Sequence, residues 1–171
     1  FERFALPPAP TPGPDCQGNC GTPPPPPPPP PPAGGTKGDF SGDGKPDLIW
    51  ENTSGQVYAW LMNGTTATSG SYLTPRSFAD VNWQIRGLAD FNGDGHTDVL
   101  WHHQKTGDLY VWMLNGTVTT AGSYLDPRSF SDTNWQIRAT VDFNKDGKPD
   151  ILWHHQKTGD LYVWFLNGVH T

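Results

Sequence analysis

The stretch DFNGDGHTDVLW (residues 90–101) occurs in two further versions, DFSGDGKPDLIW (39–50) and DFNKDGKPDILW (142–153). Other landmarks repeat with a period of 52 residues, among them Trp60, Trp112 and Trp164. The interval between the first two stretches is 51 residues because the hairpin that follows the first stretch is one residue shorter. Periods of this length are typical of the blades or solenoid units of repeat proteins.

Each repeat predicts short β-strands and no helix. In the second repeat, four segments fit the strands of one sheet: Trp83–Ala89, Val99–Trp101, Leu109–Leu114 and Ser123–Leu125. Thr-Gly-Asp and Asn-Gly sequences after the second and third segments indicate hairpin turns. The two central segments are continuously apolar, and such strands belong in a sheet that is covered on both sides. The predicted fold class is therefore all-β, with tandem four-stranded blades of the propeller type.

Only the second repeat contains all four predicted strands, from Trp83 to Leu125. No segment similar to the WQIR sequence at residues 83–86 precedes Asp39, and the third repeat reaches Thr171 without a fourth strand. A closed propeller needs roughly four to eight blades. We therefore expect one complete and two partial blades.

Each twelve-residue stretch places oxygen-bearing side chains at positions 1, 3, 5 and 9 and glycine at position 6. Calcium takes about six to eight oxygen ligands, and a loop with this spacing wraps around one ion, with position 7 giving its backbone carbonyl. The predicted ligands are Asp39, Ser41, Asp43, Lys45 and Asp47; Asp90, Asn92, Asp94, His96 and Asp98; and Asp142, Asn144, Asp146, Lys148 and Asp150.

The loops therefore predict Ca²⁺ as a cofactor, with about three ions per chain. We expect the first loop to bind most weakly, because a neutral hydroxyl from Ser41 replaces the amide of the other loops. The alternative interpretation is three ordinary Asp/Asn/Gly turns that hold no ion.

The signature D-F-N-x-D-G-x-x-D, followed by two apolar residues and Trp and then by G-D-L-Y-V-W, resembles the FG-GAP, or VCBS-type, repeat of integrin-type propellers and many secreted bacterial proteins. The resemblance covers about Lys37 to Gly168. It implies propeller-type blades in which the loop joins the innermost strand to the second and binds calcium for structural, not catalytic, reasons. It also implies a secreted, extracellular or cell-surface protein.

Two further segments precede this 37–171 repeat domain. Residues 1–22 form a head that contains a strand-like stretch, Phe1–Leu6, and residues 23–36 form a linker with ten consecutive prolines. Proline fixes φ and has no N–H donor, so this run predicts a polyproline II rod roughly 30 Å long. Cys16 and Cys20 predict a disulfide, within the chain or between chains, in an oxidising compartment, with two thiols as the alternative.

Charge and composition exclude several classes of partner. Nine of the seventeen acidic residues lie in the three loops, so three divalent ions would change the net charge from −6 to −6 + 3 × 2 = 0. The eleven Lys and Arg residues form no basic run, so a nucleic-acid partner is not expected. No apolar stretch approaches the roughly 18 residues that span a bilayer.

Histidine doublets and tryptophans are the remaining candidate site residues. His102-His103 and His154-His155 predict surface hairpins, with weak transition-metal binding as an alternative; no nucleophile motif lies beside them, so no enzyme is expected. The eight tryptophans occur at fixed repeat positions, which favours packing between blades over carbohydrate stacking. Glycosylation sequons lie at Asn52, Asn63 and Asn115, where plain turn asparagines are the alternative.

Two functional hypotheses follow from the sequence. The first is a structural or adhesion subunit that completes its partial blades with other copies of itself, by head-to-tail donation of Phe1–Leu6, and so forms an oligomer or fibre. The second is a lectin-like, carbohydrate-binding propeller module of a larger secreted protein.

Overall fold

The computed structural model describes residues 37–171, and every regular element in that range is a β-strand. In chain order the strands are β1 (Leu48–Glu51), β2 (Val57–Asn63), β3 (Thr66–Tyr72), β4 (Trp83–Ala89), β5 (Asp98–His103), β6 (Asp108–Asn115), β7 (Val118–Ser129), β8 (Trp135–Val141), β9 (Asp150–His155) and β10 (Leu161–Trp164). Over these residues the chain has no helix that could cross a membrane.

The strands form three antiparallel sheets, which we call blades 1, 2 and 3. Blade 2 has four strands in the order β4-β5-β6-β7, whereas blade 1 (β1-β2-β3) and blade 3 (β8-β9-β10) have three each. Within residues 37–171, blade 1 contains no counterpart of β4, and blade 3 contains no counterpart of β7. This arrangement confirms the predicted all-β fold and the predicted division into one complete and two partial blades.

The predicted strand limits are right for the inner strand and wrong for the outer one. β4 covers Trp83–Ala89 as expected, but β7 runs from Val118 to Ser129 instead of from Ser123 to Leu125. Most of β7 is exposed and consists of Thr, Gly, Ser and charged residues, so it shows no apolar alternation. Pairing with β6, from Asn115↔Val118 to Asp108↔Ser129, defines this strand.

The strand register gives each blade two different faces. In blade 2, the aromatic face carries Val99, Trp101, Tyr110 and Trp112, and the aliphatic face carries Leu100, His102, Leu109 and Val111. The aliphatic face of blade 1, with Val57 and Ala59, packs in one cluster with the aromatic face of blade 2. The aliphatic face of blade 2 packs in the same way with Ile151, Trp153 and Trp164 of blade 3.

A phenylalanine from the preceding linker fills each of these junctions. Phe78, between β3 and β4, stacks on Trp112 with ring centroids 4.7 Å apart and contacts the edge of Trp101 at 4.9 Å. Phe130 repeats the arrangement in blade 3, 4.6 Å from Trp164 and 4.7 Å from Trp153. Aromatic rings prefer these offset and edge-to-face contacts, which adds to the free energy of burial.

The tryptophans confirm the packing interpretation in blades 2 and 3 but not in blade 1. Trp135 is half-buried against the cluster that includes the blade 3 residues, and five others are buried: Trp83, Trp101, Trp112, Trp153 and Trp164. Trp50 and Trp60 are exposed although they occupy the same repeat positions as Trp101 and Trp112. The difference arises because, in the described residues, no blade precedes blade 1 to cover its aromatic face.

The prediction that the histidine doublets lie on surface hairpins is wrong for three of the four residues. His102, His103 and His155 are buried, and His154 is half-buried. The ring of His102 lies on the aliphatic face of blade 2 and meets Trp153 edge-on at 5.6 Å. These histidines are therefore parts of the blade junctions and turns.

His103 and His155 each connect the linker that precedes a blade to a β-hairpin of that same blade. Thr106 donates its backbone N–H to His103 Nδ1 at 3.1 Å, so the ring proton lies on Nε2 and is donated to Asp80 Oδ2 at 3.0 Å. His155 makes the equivalent bonds with Thr158 and Asp132. The sequence signal for this contact was the recurrence of Asp-x-Asn-Trp and His-x-x-Thr in both repeats.

Candidate metal-binding loops

Three loops, residues 39–47, 90–98 and 142–150, carry the predicted ligands, and the blades hold them in equivalent places. The second loop joins β4 to β5 and the third joins β8 to β9, so both connect the inner strand of a blade to the next strand. The first loop precedes β1. This agrees with the position that the sequence resemblance implied.

The aspartate at position 1 organises each loop through backbone hydrogen bonds. Asp90 Oδ1 accepts the N–H of Gly93 at 2.7 Å, and Oδ2 accepts the N–H of Gly95 at 2.8 Å. Asp39 and Asp142 accept equivalent bonds. The glycine at position 6 is required because its φ is 84° in the first loop, 86° in the second and 85° in the third, a region that side chains disfavour.

The aspartate at position 9 is buried and anchors the loop to a distant strand. Asp98 Oδ2 accepts the N–H of Phe91 at 2.8 Å, and Oδ1 accepts the N–H of Leu114, near the end of β6, at 2.9 Å. Asp150 and Asp47 make the same pair of bonds in the other repeats. Sequence reasoning treated these residues only as ligands. The missed signal was the apolar strand that follows each one directly, which places the carboxylate inside the sheet.

Burial, backbone donors and neighbouring carboxylates shift the pKa of the loop aspartates. Burial raises the pKa of Asp98 to about 6; the N–H donors of Leu114 and Phe91 oppose this, and the nearby carboxylates of Asp94 and Asp90 add to it. In the first loop, burial raises the pKa of Asp39, but hydrogen bonds from Gly44, Gly42 and other loop groups outweigh it and lower the pKa. A divalent ion in the second loop would relieve the repulsion among its carboxylates.

The side chains at positions 3 and 5 are exposed and contact each other. Asn92 Nδ2 lies 2.9 Å from Asp94 Oδ2, and Asn144 Nδ2 lies 3.1 Å from Asp146 Oδ2. In the first loop the acid at position 5 instead meets a cation, because Asp43 lies 3.5 Å from Lys45 Nζ. This loop therefore has a competing internal positive charge in addition to its weak Ser41 donor.

The donor set fits a hard cation, because every candidate side-chain ligand is an oxygen, and a carboxylate oxygen that accepts one hydrogen bond keeps a second lone pair. Within residues 37–171, no three acidic, His or Cys side chains are gathered as a ready metal cluster. Binding would therefore turn the side chains at positions 3 and 5 toward the carboxylate at position 1.

The Cys16–Cys20 pair, the head and the polyproline linker lie outside the described residues.

A cleft of about 520 Å³ lies between blades 1 and 2. Its lining includes Trp50, Glu51, Gln84, Ile85 and Arg86. Burial raises the pKa of the Glu51 carboxyl, while the N–H of Ile85 and the Arg86 guanidinium lower it. The cleft thus combines an aromatic residue with planar hydrogen-bonding groups of both charges.

Comparison with known proteins agrees with this arrangement. The family model described as FG-GAP-like repeat matches residues 39–101 and, in a second copy, residues 90–153. No curated protein and no solved structure matches the chain. The two family matches together extend over more than half of the 171 residues, and each runs from one loop aspartate to the strand tryptophan after the next loop. The chain therefore belongs to the FG-GAP-like repeat family, as a β-propeller-like repeat module.

Proposed function

We propose that the protein is a non-enzymatic, calcium-binding structural or adhesion subunit that joins other copies of itself head to tail. The observation that carries this proposal is that, within residues 37–171, blades 1 and 3 have three strands each where blade 2 has four. β1 and β10 are edge strands whose outer N–H and C=O groups have no neighbouring strand in residues 37–171. Open edges of this kind pair readily with another chain.

An extracellular or cell-surface location is supported by the family, whose repeats are typical of such proteins. Secretion is consistent with the predicted Cys16–Cys20 disulfide, because disulfides persist in oxidising compartments.

Calcium is proposed as the structural cofactor, with one ion in each loop. The ligands would be the side chains at positions 1, 3, 5 and 9 and the carbonyl at position 7, among them Asp90, Asn92, Asp94, His96 and Asp98 in the second loop. The ion supplies a positive charge between the loop carboxylates and so favours the folded state that holds them together. Calorimetric titration of the chelated protein should find about three sites, the first loop being weakest. A melting temperature that changes neither with added calcium nor with chelator would contradict the assignment of calcium to the loops.

The head is the proposed route to assembly. Phe1–Leu6 has the strand-like sequence that an open edge of a second copy could accept. Deletion of residues 1–8 should reduce the particle size measured by light scattering, whereas replacing residues 1–8 by an equally apolar strand sequence should preserve it. Assembly that survives the deletion unchanged would rule out donation by the head.

Carbohydrate binding is the second candidate, and the cleft between blades 1 and 2 is the observation that favours it. Sugar hydroxyls would pair with Glu51, Gln84 and Arg86, beside an exposed tryptophan. Titration with a panel of oligosaccharides, followed by tryptophan fluorescence, should then saturate, and Glu51→Gln should weaken the response. The matched control is Asp108→Asn, which changes an acid outside the cleft. Absence of a saturable response across the panel would exclude the candidate.

A further inference from the structure

Blade 1 exposes the face that the other blades bury. Leu48, Trp50 and Trp60 are 52%, 42% and 43% exposed. Their counterparts in blade 2, Val99, Trp101 and Trp112, are 0%, 0% and 4% exposed. These positions carry no charged side chain, so the aromatic face of blade 1 has the character of a packing surface. Nothing in the described residues covers it.

Blade 3 exposes the opposite face. Pairing of β9 with β10 places Leu152, Leu161 and Val163 on its aliphatic side. Leu161 is 66% exposed, whereas its counterpart Leu109 in blade 2 is 0% exposed because blade 3 covers it. Phe165, which is 54% exposed, follows on from this strand and stands where blade 2 has Met113.

These two exposed faces are the two halves of one kind of junction. Between blades 1 and 2, and again between blades 2 and 3, the aliphatic face of one blade packs on the aromatic face of the next. Blade 3 presents an aliphatic face and blade 1 presents an aromatic face, at opposite ends of the series. The three blades of residues 37–171 are fewer than the roughly four that a closed ring needs, so these two end faces do not meet each other.

We propose that the aliphatic face of blade 3 in one copy packs on the aromatic face of blade 1 in a second copy and so repeats the internal junction between chains. This inference rests on the proposed self-assembly and deepens it by naming the surfaces in contact. The two surfaces differ, so the contact is heterologous and each copy keeps one of each. Such a contact produces a ring if it closes and a fibre if it does not.

The test uses the intact chain with one face changed at a time. Trp60→Lys places a charge on the aromatic face of blade 1, and Leu161→Lys does the same on the aliphatic face of blade 3. Both side chains are exposed, so the blades should remain folded, which circular dichroism and the melting temperature verify. The matched control is Val81→Lys, because Val81 is an exposed apolar residue in the linker, outside both faces.

Each single variant should associate at least roughly tenfold more weakly in sedimentation velocity, while the Val81→Lys control assembles normally. An equimolar mixture of the two face variants should give dimers that do not grow. The Trp60→Lys chain still has an unchanged blade 3 face, and the Leu161→Lys chain still has an unchanged blade 1 face. These two unchanged faces can form one junction, and the two changed faces cannot extend the dimer. The double variant should remain a monomer.

Normal assembly of both face variants would overturn the inference but leave self-assembly in place through another surface, such as the head. Failure of the mixture to form dimers would also overturn it. Loss of assembly in Trp60→Lys alone would mean that the blade 1 face meets something other than blade 3, which contradicts the proposed contact. An unmodified chain that never associates would refute the proposed self-assembly itself.

Discussion

Single residues in the loops and junctions have separable roles. Asp94 is an exposed candidate ligand in the second loop, whereas His102 is buried against Trp153. Asp94→Ala should therefore lower the free energy of unfolding mainly when calcium is present, by about 2 to 3 kcal/mol at saturating ion. His102→Ala should cost about 2 kcal/mol with or without calcium, because it leaves a cavity. Denaturant unfolding in calcium and in chelator measures both, and a calcium-independent loss in Asp94→Ala would contradict its role as a ligand.

Two glycines at the same repeat position make a matched pair. Gly107 and Gly159 both have positive φ, at 77° and 81°, so alanine is strained at either place. At Gly107 an added Cβ would also overlap the carbonyl oxygen of Phe130, whereas at Gly159 it would meet nothing within 4 Å. Gly159→Ala should cost about 1 kcal/mol in the free energy of unfolding and Gly107→Ala clearly more. Equal losses in urea unfolding would show that the Phe130 linker does not lie against this turn.

The aspartates that accept the histidine Nε2–H should make stability depend on acid pH. The His103 hydrogen bond, with those of Asn82, lowers the pKa of Asp80 from 3.8 to about 2, and bonds from Asn134 and His155 lower that of Asp132 to about 2. A carboxyl whose pKa is lowered in the folded state stabilises that state above its unfolded pKa, and the contribution is lost as the pH falls. The free energy of unfolding should thus decrease between about pH 4 and pH 2. The Asp80→Asn/Asp132→Asn variant should show a smaller decrease, and an unchanged pH profile would contradict the lowered pKa values.

At the scale of strands and linkers, the repeat made most of the fold predictable. The inner strand β4 alternates clearly, and the continuously apolar cores of β5 and β6 point to a sheet covered on both sides, so their existence followed from sequence. The Asn-Gly turn predicted that β7 pairs with β6, but β7 is exposed and mostly polar, so its length follows from that pairing and not from an apolar pattern. The burial of His102 could not be predicted from the sequence, because it depends on contact with Trp153 of the next blade. The loop residues were predictable by position, but the anchoring of Asp98 to β6 was not.

The linker phenylalanine packs against the aromatic face of blade 2, in the cluster that blade 2 shares with blade 1. The ring of Phe78 contacts the rings of Trp83, Trp101 and Trp112, at centroid distances of 5.1, 4.9 and 4.7 Å. Phe78→Ala should lower the free energy of unfolding by about 3 kcal/mol, because it removes a large ring from a packed cluster. Val81→Ala in the same linker should cost well under 1 kcal/mol, since the side chain is exposed. Similar losses for both variants in thermal unfolding would argue against a specific role for the ring.

At the scale of the whole molecule, the open sheet edges of blades 1 and 3 and their complementary exposed faces support the proposed assembly with other copies. Calcium bound as proposed would neutralise the loop charges, and the end faces should then meet with less repulsion. The most direct measurement is sedimentation velocity of the intact chain at increasing protein concentration in about 1 mM calcium, a level suited to extracellular calcium modules. The predicted result is a series of species at multiples of 18.8 kDa that grows with concentration. A single species of 18.8 kDa at every concentration would contradict the account.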